Sequence, residues 1–354
     1  MSFKRLDPQD FLISADSIVG GAWTGGSATL TSFNKSSAQE ASDSGNYYLS
    51  VYQTAATDAD SEVQFNIAFG DSAGSGSLLF DSNIEGKSPT SAIFGQFQNI
   101  VLGDENANFV FGGTTPVTQS IYAITIDRAR FKGNLFPGTM TLTVGSGSVA
   151  SNDTITLTDD SKAASSVSFN EAGRVFQLLS GSAGTITTNT ITDANSNTYE
   201  AGYTPSGSYG LFLPDIGTII LNTSAFELPY ASGGLGLDTN LASNTDGDNN
   251  NVLFNSINDS EAQSFTLNSQ EALTSDFVFI RARNSEFNYS SNPSFISGST
   301  GTVLYEDFIN APQTFITTVG LYNDNNELLA VAKLSKPLKK DFTKEALIRV
   351  KLDF

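Results

Sequence analysis

Three short stretches of the chain have residue types and spacings that chemistry could use. Residues 70–74, GDSAG, match the G-x-S-x-G pattern of a nucleophile elbow and follow a strand-like run. An elbow serine needs a base, and the 354 residues include no histidine and no cysteine. That excludes Ser-His, Cys-His, His-metal and thiolate chemistry within the chain, and disulfides with them. No helical pattern follows the motif directly, so Ser72 is expected to be a loop residue and not a nucleophile.

Residues 245–251, TDGDNNN, place Asp246, Asp248 and Asn250 at alternating positions, as a calcium loop does. Such a loop needs glycine at its sixth position and glutamate at its twelfth, where this chain has Asn251 and Ile257. The expectation is an exposed Asx-rich turn inside a long surface loop, 232–251, with adventitious calcium at 245–251 as the alternative. Arg-Ala-Arg occurs twice, at 128–130 and 281–283, each time after an apolar run. Those arginines either pair with the chain's many acids or brace contacts to neighbouring chains.

Carboxylate-only hydrolysis survives the lack of histidine. Among 37 Asp and Glu, however, some pair will meet any catalytic separation by chance. The single tryptophan, Trp23, leaves little for the aromatic platforms that line sugar clefts. No enzyme activity, cofactor or metal site is expected.

The elements that would hold these residues read as strands. Only 16% of the chain is charged, while 26 Phe and 11 Tyr join abundant Ser, Thr, Asn and Gly, a composition that favours sheets and turns. The expected fold is all-β, mainly antiparallel and sandwich- or barrel-like, with one or two short helices. Ser88-Pro89 supplies an N-cap and a first-turn proline, and Ile93, Phe94, Phe97 and Val101 follow at helical spacing, so one helix is expected around 89–99. Residues 103–107 read as a hairpin turn. TITLTD, RVFQLLS, TITTNTIT and YGLFLPDIGTIILN read as short strands. DFVFIRARNSEFN, from Asp276, reads as a strand with Phe277, Phe279 and Ala282 on alternating faces and Arg281 and Arg283 pointing outward.

Charge is uneven. The net charge is −19, which repels nucleic acid, and no apolar run is long enough to span a membrane. The opening MSFKRLDPQDFLISADS has a basic pair but no continuous apolar core, so no secretory signal is expected. Shifts in charge and pattern divide the chain into three expected regions: 1–137, an arm and β domain; 138–262, an acidic β domain or insertion; and 263–354, a β segment packing with the first. The last region ends in a predicted hairpin turning at 323–326, with Val319, Leu321, Leu329 and Val331 as core, a strand end at Pro337 and a final strand from Phe342 to Leu352. Positive charge gathers there, at Lys336, Lys339, Lys340 and Lys344 among others.

Several phrases make this chain resemble structural proteins of T4-like marine phages, the myoviruses of cyanobacteria and similar hosts. They are FKRLDPQDFLISADSI, KSPTSAIFGQF, FIRARNSEFNYSSNPSFISGSTG and, most specifically, GLYNDNNELLAVAKL with the basic strand behind it. The resemblance covers the opening arm, the helix at 89–99 and nearly all of the third region. It implies a virion component of a contractile tail, particularly its baseplate, made in the host cytoplasm and assembled with other virion proteins and copies of itself. The alternatives are a host-receptor or glycan-binding tail-tip module reading through loops 181–206 and 232–251, or a head decoration protein. The expected interface comprises Phe3, Lys4, Arg5, Asp7 and Phe11 of the arm, Arg128, Arg130, Arg281 and Arg283, and the lysines at 336, 339, 340 and 344.

Overall fold

The computed structural model describes residues 3–36, 48–76, 88–112, 118–146, 153–164, 167–193, 195–239, 248–258, 263–290 and 292–353. In chain order its strands are β1 (Phe11–Gly21), β2 (Thr29–Leu30), β3 (Asn34–Ser36), β4 (Leu49–Tyr52), β5 (Val63–Asp71), β6 (Ser120–Ile126), β7 (Asn134–Leu135), β8 (Thr141–Gly145), β9 (Thr154–Asp159) and β10 (Ser168–Asn170). There follow β11 (Gly173–Ser182), β12 (Thr185–Ile186), β13 (Gly210–Leu213), β14 (Thr218–Asn222), β15 (Phe265–Thr266), β16 (Asn268–Ala282), β17 (Thr314–Tyr322), β18 (Leu328–Lys340) and β19 (Ala346–Asp353). The α-helices among the described residues are α1 (Pro89–Phe97), α2 (Thr223–Phe226), α3 (Asp248–Ile257) and α4 (Glu306–Asn310). The protein is therefore mostly antiparallel β-sheet with few short helices.

The chain forms two compact units. One is continuous, Ile18–Glu271; the other is split, made of Met1–Ser17 and Ala272–Phe354. Strands set apart in the sequence as 138–262 share one sheet and one core with β2, β4 and β5 of the continuous unit.

In the continuous unit, 13 strands make a curled sheet in the order β2-β15-β8-β9-β11-β13-β14-β6-β5-β4-β3, with β10 and β12 added on β11. Period-2 alternation sorts the side chains of its middle strands. From β6, Tyr122, Ile124 and Ile126 enter the larger core, while Ile121 and Ala123 point to a second one. β13 and β14 divide likewise, with Phe212, Ile219 and Leu221 on the first face and Leu211, Leu213 and Ile220 on the second. Apolar layers on both faces explain why SIYAITI, GLFL and TIIL read as continuous apolar runs. Trp23 is buried in the larger core, 4.8 Å from Phe265 and 6.1 Å from Phe65, with its indole N–H donating to the Phe265 carbonyl at 2.7 Å.

Helix α1 covers the second face with Ile93, Phe94 and Phe97, and Ser88 caps it by accepting from the Ser91 amide, as the sequence predicts. A π-helical turn, Gln98–Leu102, continues it and buries Val101, and Gly103 ends it at φ 70°. Residues 104–107 do form a turn, with the Ala107 amide bonded to Asp104, but it follows that helix and is not a hairpin. The GDSAG motif is a capped turn after β5. The buried Asp71 carboxylate accepts the Ala73 and Ser75 amides, and Gly74 (φ 82°) lies where a Cβ would strike the Ser88 hydroxyl.

Two expectations fail here. Asp248–Asn251 start helix α3 instead of closing an exposed turn, and Asn249, Asn250, Leu253, Phe254 and Ile257 are buried at helical spacing. Asx residues weigh against a helix in the sequence, and here the packing of Leu253, Phe254 and Ile257 into the core outweighs that preference. The expected calcium reading at 245–251 falls partly outside the described residues, since Asp246 is among those not described. TITTNTIT contributes only the two-residue β12.

The split unit has little core. β16 pairs β19 with Val278 opposite Val350 and Ala282 opposite Ala346, and these four are its buried apolar residues. β1 lies on the other side of β16. Ala282 shares the buried face with Val278, Phe277 and Phe279 occupy the opposite face, and Arg281 and Arg283 are exposed, as the strand pattern predicts. Phe277 lies instead under the cations of Arg349 and Lys351, 5.2 and 6.0 Å from its ring centre.

The predicted closing hairpin exists as a separate two-stranded sheet, β17 with β18, turning between Asn323 and Glu327. Val319 and Leu321 are half-buried, but Leu329 and Val331 are 68% and 58% exposed and are not core. The predicted alternation is present, but the ribbon's outward face has no covering layer among the described residues. Pro337 does not end the strand. It lies inside β18 at a register shift opposite residues 316–318, where a missing N–H breaks no ladder bond. Phe342 precedes the final strand, which starts at Ala346.

Candidate assembly interface

Lys4 of the arm finds its partners beside the loop that follows β16. Lys4 donates to the Arg281 carbonyl and forms an ion pair with Glu286 at 2.8 Å. The Arg283 amide donates to the same Glu286 carboxylate at 2.9 Å. These hydrogen bonds and the nearby cations hold the Glu286 carboxyl below the usual range, against a small opposing effect of burial. From the other side Lys340, fully buried, donates to the Asn284 carbonyl, the Asn288 side-chain oxygen and the Asp341 carbonyl at 3.2, 2.7 and 3.0 Å. Thr314 at the start of β17 donates to the Phe287 carbonyl. Four expected residues, Lys4, Arg281, Arg283 and Lys340, thus meet at one loop.

That loop is held in a costly conformation. Phe287 sits at φ 55°, a region that bulky residues avoid at a cost of about 1–3 kcal/mol. Its ring helps line a shallow cavity of about 510 Å³ whose other walls include Tyr289, Val303, Phe308, Pro312 and Phe342. The hollow is open to solvent, and Ser285, Glu286 and Asn288 line it beside these apolar side chains.

The other expected residues are placed differently. Arg130 pairs with Glu62 at 2.7 Å and bonds Thr24, which draws the Glu62 carboxyl below its usual range. Arg128 donates to the carbonyls of Phe131 and Lys132 and stacks over Phe131. Both are spent inside the continuous unit. Lys344 is 3.7 Å from Asp341, and no carboxylate lies within 4 Å of Lys333, Lys336 or Lys339 among the described residues. Arg5 and Asp7 are exposed, with Asp7 closing a small capping box with Asp10. Phe3 is exposed yet packs edge-on against Tyr322 at 5.2 Å.

Sequence reasoning passed over the strongest feature of this unit, its exposed apolar surface. Phe11, Leu12 and Ile13 of β1 are exposed, Ile13 at 70%, as are Tyr289, Leu304, Tyr305, Ile309, Phe342 and Leu347. β1 alternates too weakly to show which face it would bury, and this was the available signal. Among the described residues no helix is long and apolar enough to cross a membrane. No family model, no curated protein and no solved structure matches the chain.

Proposed function

We propose that this chain is a non-enzymatic structural protein of a virion, a tail or baseplate component of a contractile-tailed bacteriophage, holding neighbouring proteins together through its split unit. The observation that carries the reading is the inversion of burial there. Apolar surface on this scale, left outside a unit with four buried apolar residues, needs cover from another chain. The resemblance of the arm and the closing hairpin to phage structural proteins supplies the setting, and those same segments build the split unit.

Charge supports the division of labour. Of the 18 Lys and Arg, 11 lie in the split unit, as do 12 of the 37 Asp and Glu, for a net −1. The remaining 7 and 25 leave −18 on the continuous unit. A near-neutral apolar surface can meet another protein without strong repulsion, whereas the acidic unit stays solvated. Exposed aromatics also favour assembly over receptor reading. Eight of the exposed large aromatics lie in the split unit (Phe3, Phe11, Tyr289, Phe295, Tyr305, Phe315, Tyr322 and Phe342), against Tyr48, Phe169 and Tyr230 elsewhere.

The test is to image the chain in an intact particle, by labelling and by reconstruction. The split unit should be covered by neighbours over more than 1,000 Å², roughly the least that specific interfaces bury. A chain absent from particles, or present with that unit facing solvent, sinks the proposal.

A further inference from the structure

We infer that the outer edge of β17 pairs antiparallel with β17 of a second copy, about a two-fold axis at Thr318, joining two hairpins into one four-stranded sheet. This rests on the reading of the split unit as an interface and names its occupant.

The two edges of the hairpin are built differently. Edge strands present unpaired N–H and C=O groups, and proteins guard them with lysine, proline or irregular register. β18 has all of these, in Lys333, Lys336, Lys339 and Pro337 with a register shift beside it. β17, TFITTVGLY, is nine residues long, without a charge or a proline, and no third strand borders it among the described residues. An unguarded edge beside a guarded one marks where a strand is meant to add.

Charge along the hairpin selects a second copy as that strand's source. No Lys or Arg occurs from residue 284 to 332, and the turn carries Asp324 and Glu327. Of the exposed lysines of β18, Lys336 and Lys339 lie in the half away from the turn, Lys339 across from Phe315, while Lys333 sits across from Thr318. Antiparallel self-pairing brings the acidic turn of each copy beside the lysine end of the other, twice by symmetry. With the axis at Thr318, Phe315 of one copy lies against Leu321 of the other, and Thr314 against Tyr322. Like threonines meet at the centre, where a charge would meet its own copy.

The absence of cysteine makes the test clean. At micromolar concentration the chain should sediment at twice its 37.5 kDa. Thr318→Cys should give a disulfide-linked dimer on mild oxidation, while Ser335→Cys on the guarded strand should not. Thr318→Lys should return a 37.5 kDa species with an unchanged circular dichroism spectrum and faster amide exchange across 314–322. A monomeric parent chain overturns the inference, as does a dimer in which Thr318→Lys alters neither mass nor exchange. If Thr318→Lys fails to fold, the cysteine pair decides. A monomer still found in particles rejects self-pairing and leaves the structural role intact; a dimer missing from particles does the reverse.

Discussion

Lys340 shows what a lysine does when a fold takes it out of water without a carboxylate. Its three donors are met by two carbonyls and an amide oxygen, so the charge is shared among dipoles. Lys340→Met keeps the volume and strands those acceptors. We expect a loss of about 1–3 kcal/mol in urea unfolding and faster exchange at 284–288. Glu286 predicts a pH effect. Its folded pKa lies below the unfolded value, so the stability it adds is present above that unfolded value and lost as pH falls through the folded one. The arm should therefore become protease-sensitive only as pH falls below the ordinary glutamate range, and Glu286→Gln should abolish that pH dependence; unchanged acid sensitivity in this variant would reject the role. The sequence marked Lys4, Arg281, Arg283 and Lys340 as candidate interface residues, without showing that they meet. It could not show that Lys340 is buried, because burial depends on a loop whose path turns on Phe287 entering a backbone region its type avoids.

At the scale of elements, local signals were read well where chemistry is local. The Ser88-Pro89 cap, the turn at Asn323 and the strands TITLTD and RVFQLLS follow from residues within a few positions of one another. Errors arose where tertiary contacts decided. Helix α3 begins in Asx residues and is held by core packing, and Leu329 and Val331 alternate as if buried on a ribbon that has no second layer among the described residues. The hairpin turn offers a direct check. Asn326 sits at φ 62°, which asparagine tolerates and β-branched residues do not. Asn326→Gly should leave stability nearly unchanged, while Asn326→Val should cost about 1–2 kcal/mol by thermal unfolding. Equal effects of the two would refute the strain.

For the whole molecule, charge and burial separate along the same boundary. The continuous unit carries both large cores and nearly all of the net charge. Self-repulsion in that unit is screened by salt, so its melting temperature should rise between low and moderate ionic strength. A scan of the full chain should resolve that transition from one assigned to 272–354, which should move little; the opposite ranking would refute self-repulsion in the continuous unit. Composition revealed the acidic body and the basic end. The low burial of the split unit was hidden, because no local pattern states how much cover a sheet will receive.

The split unit has a consequence in time. Its first segment, Met1–Ser17, leaves the ribosome before the continuous unit, and its second segment after it. At synthesis rates of about 5–20 residues per second, the opening segment waits roughly 13–50 s for the strands it joins. Through that interval the large core can form, while the sticky edge of β17 does not yet exist. The exposed Phe11, Leu12 and Ile13 emerge first, but the unguarded strand edge comes last, so the order of synthesis withholds edge pairing until the body can have folded.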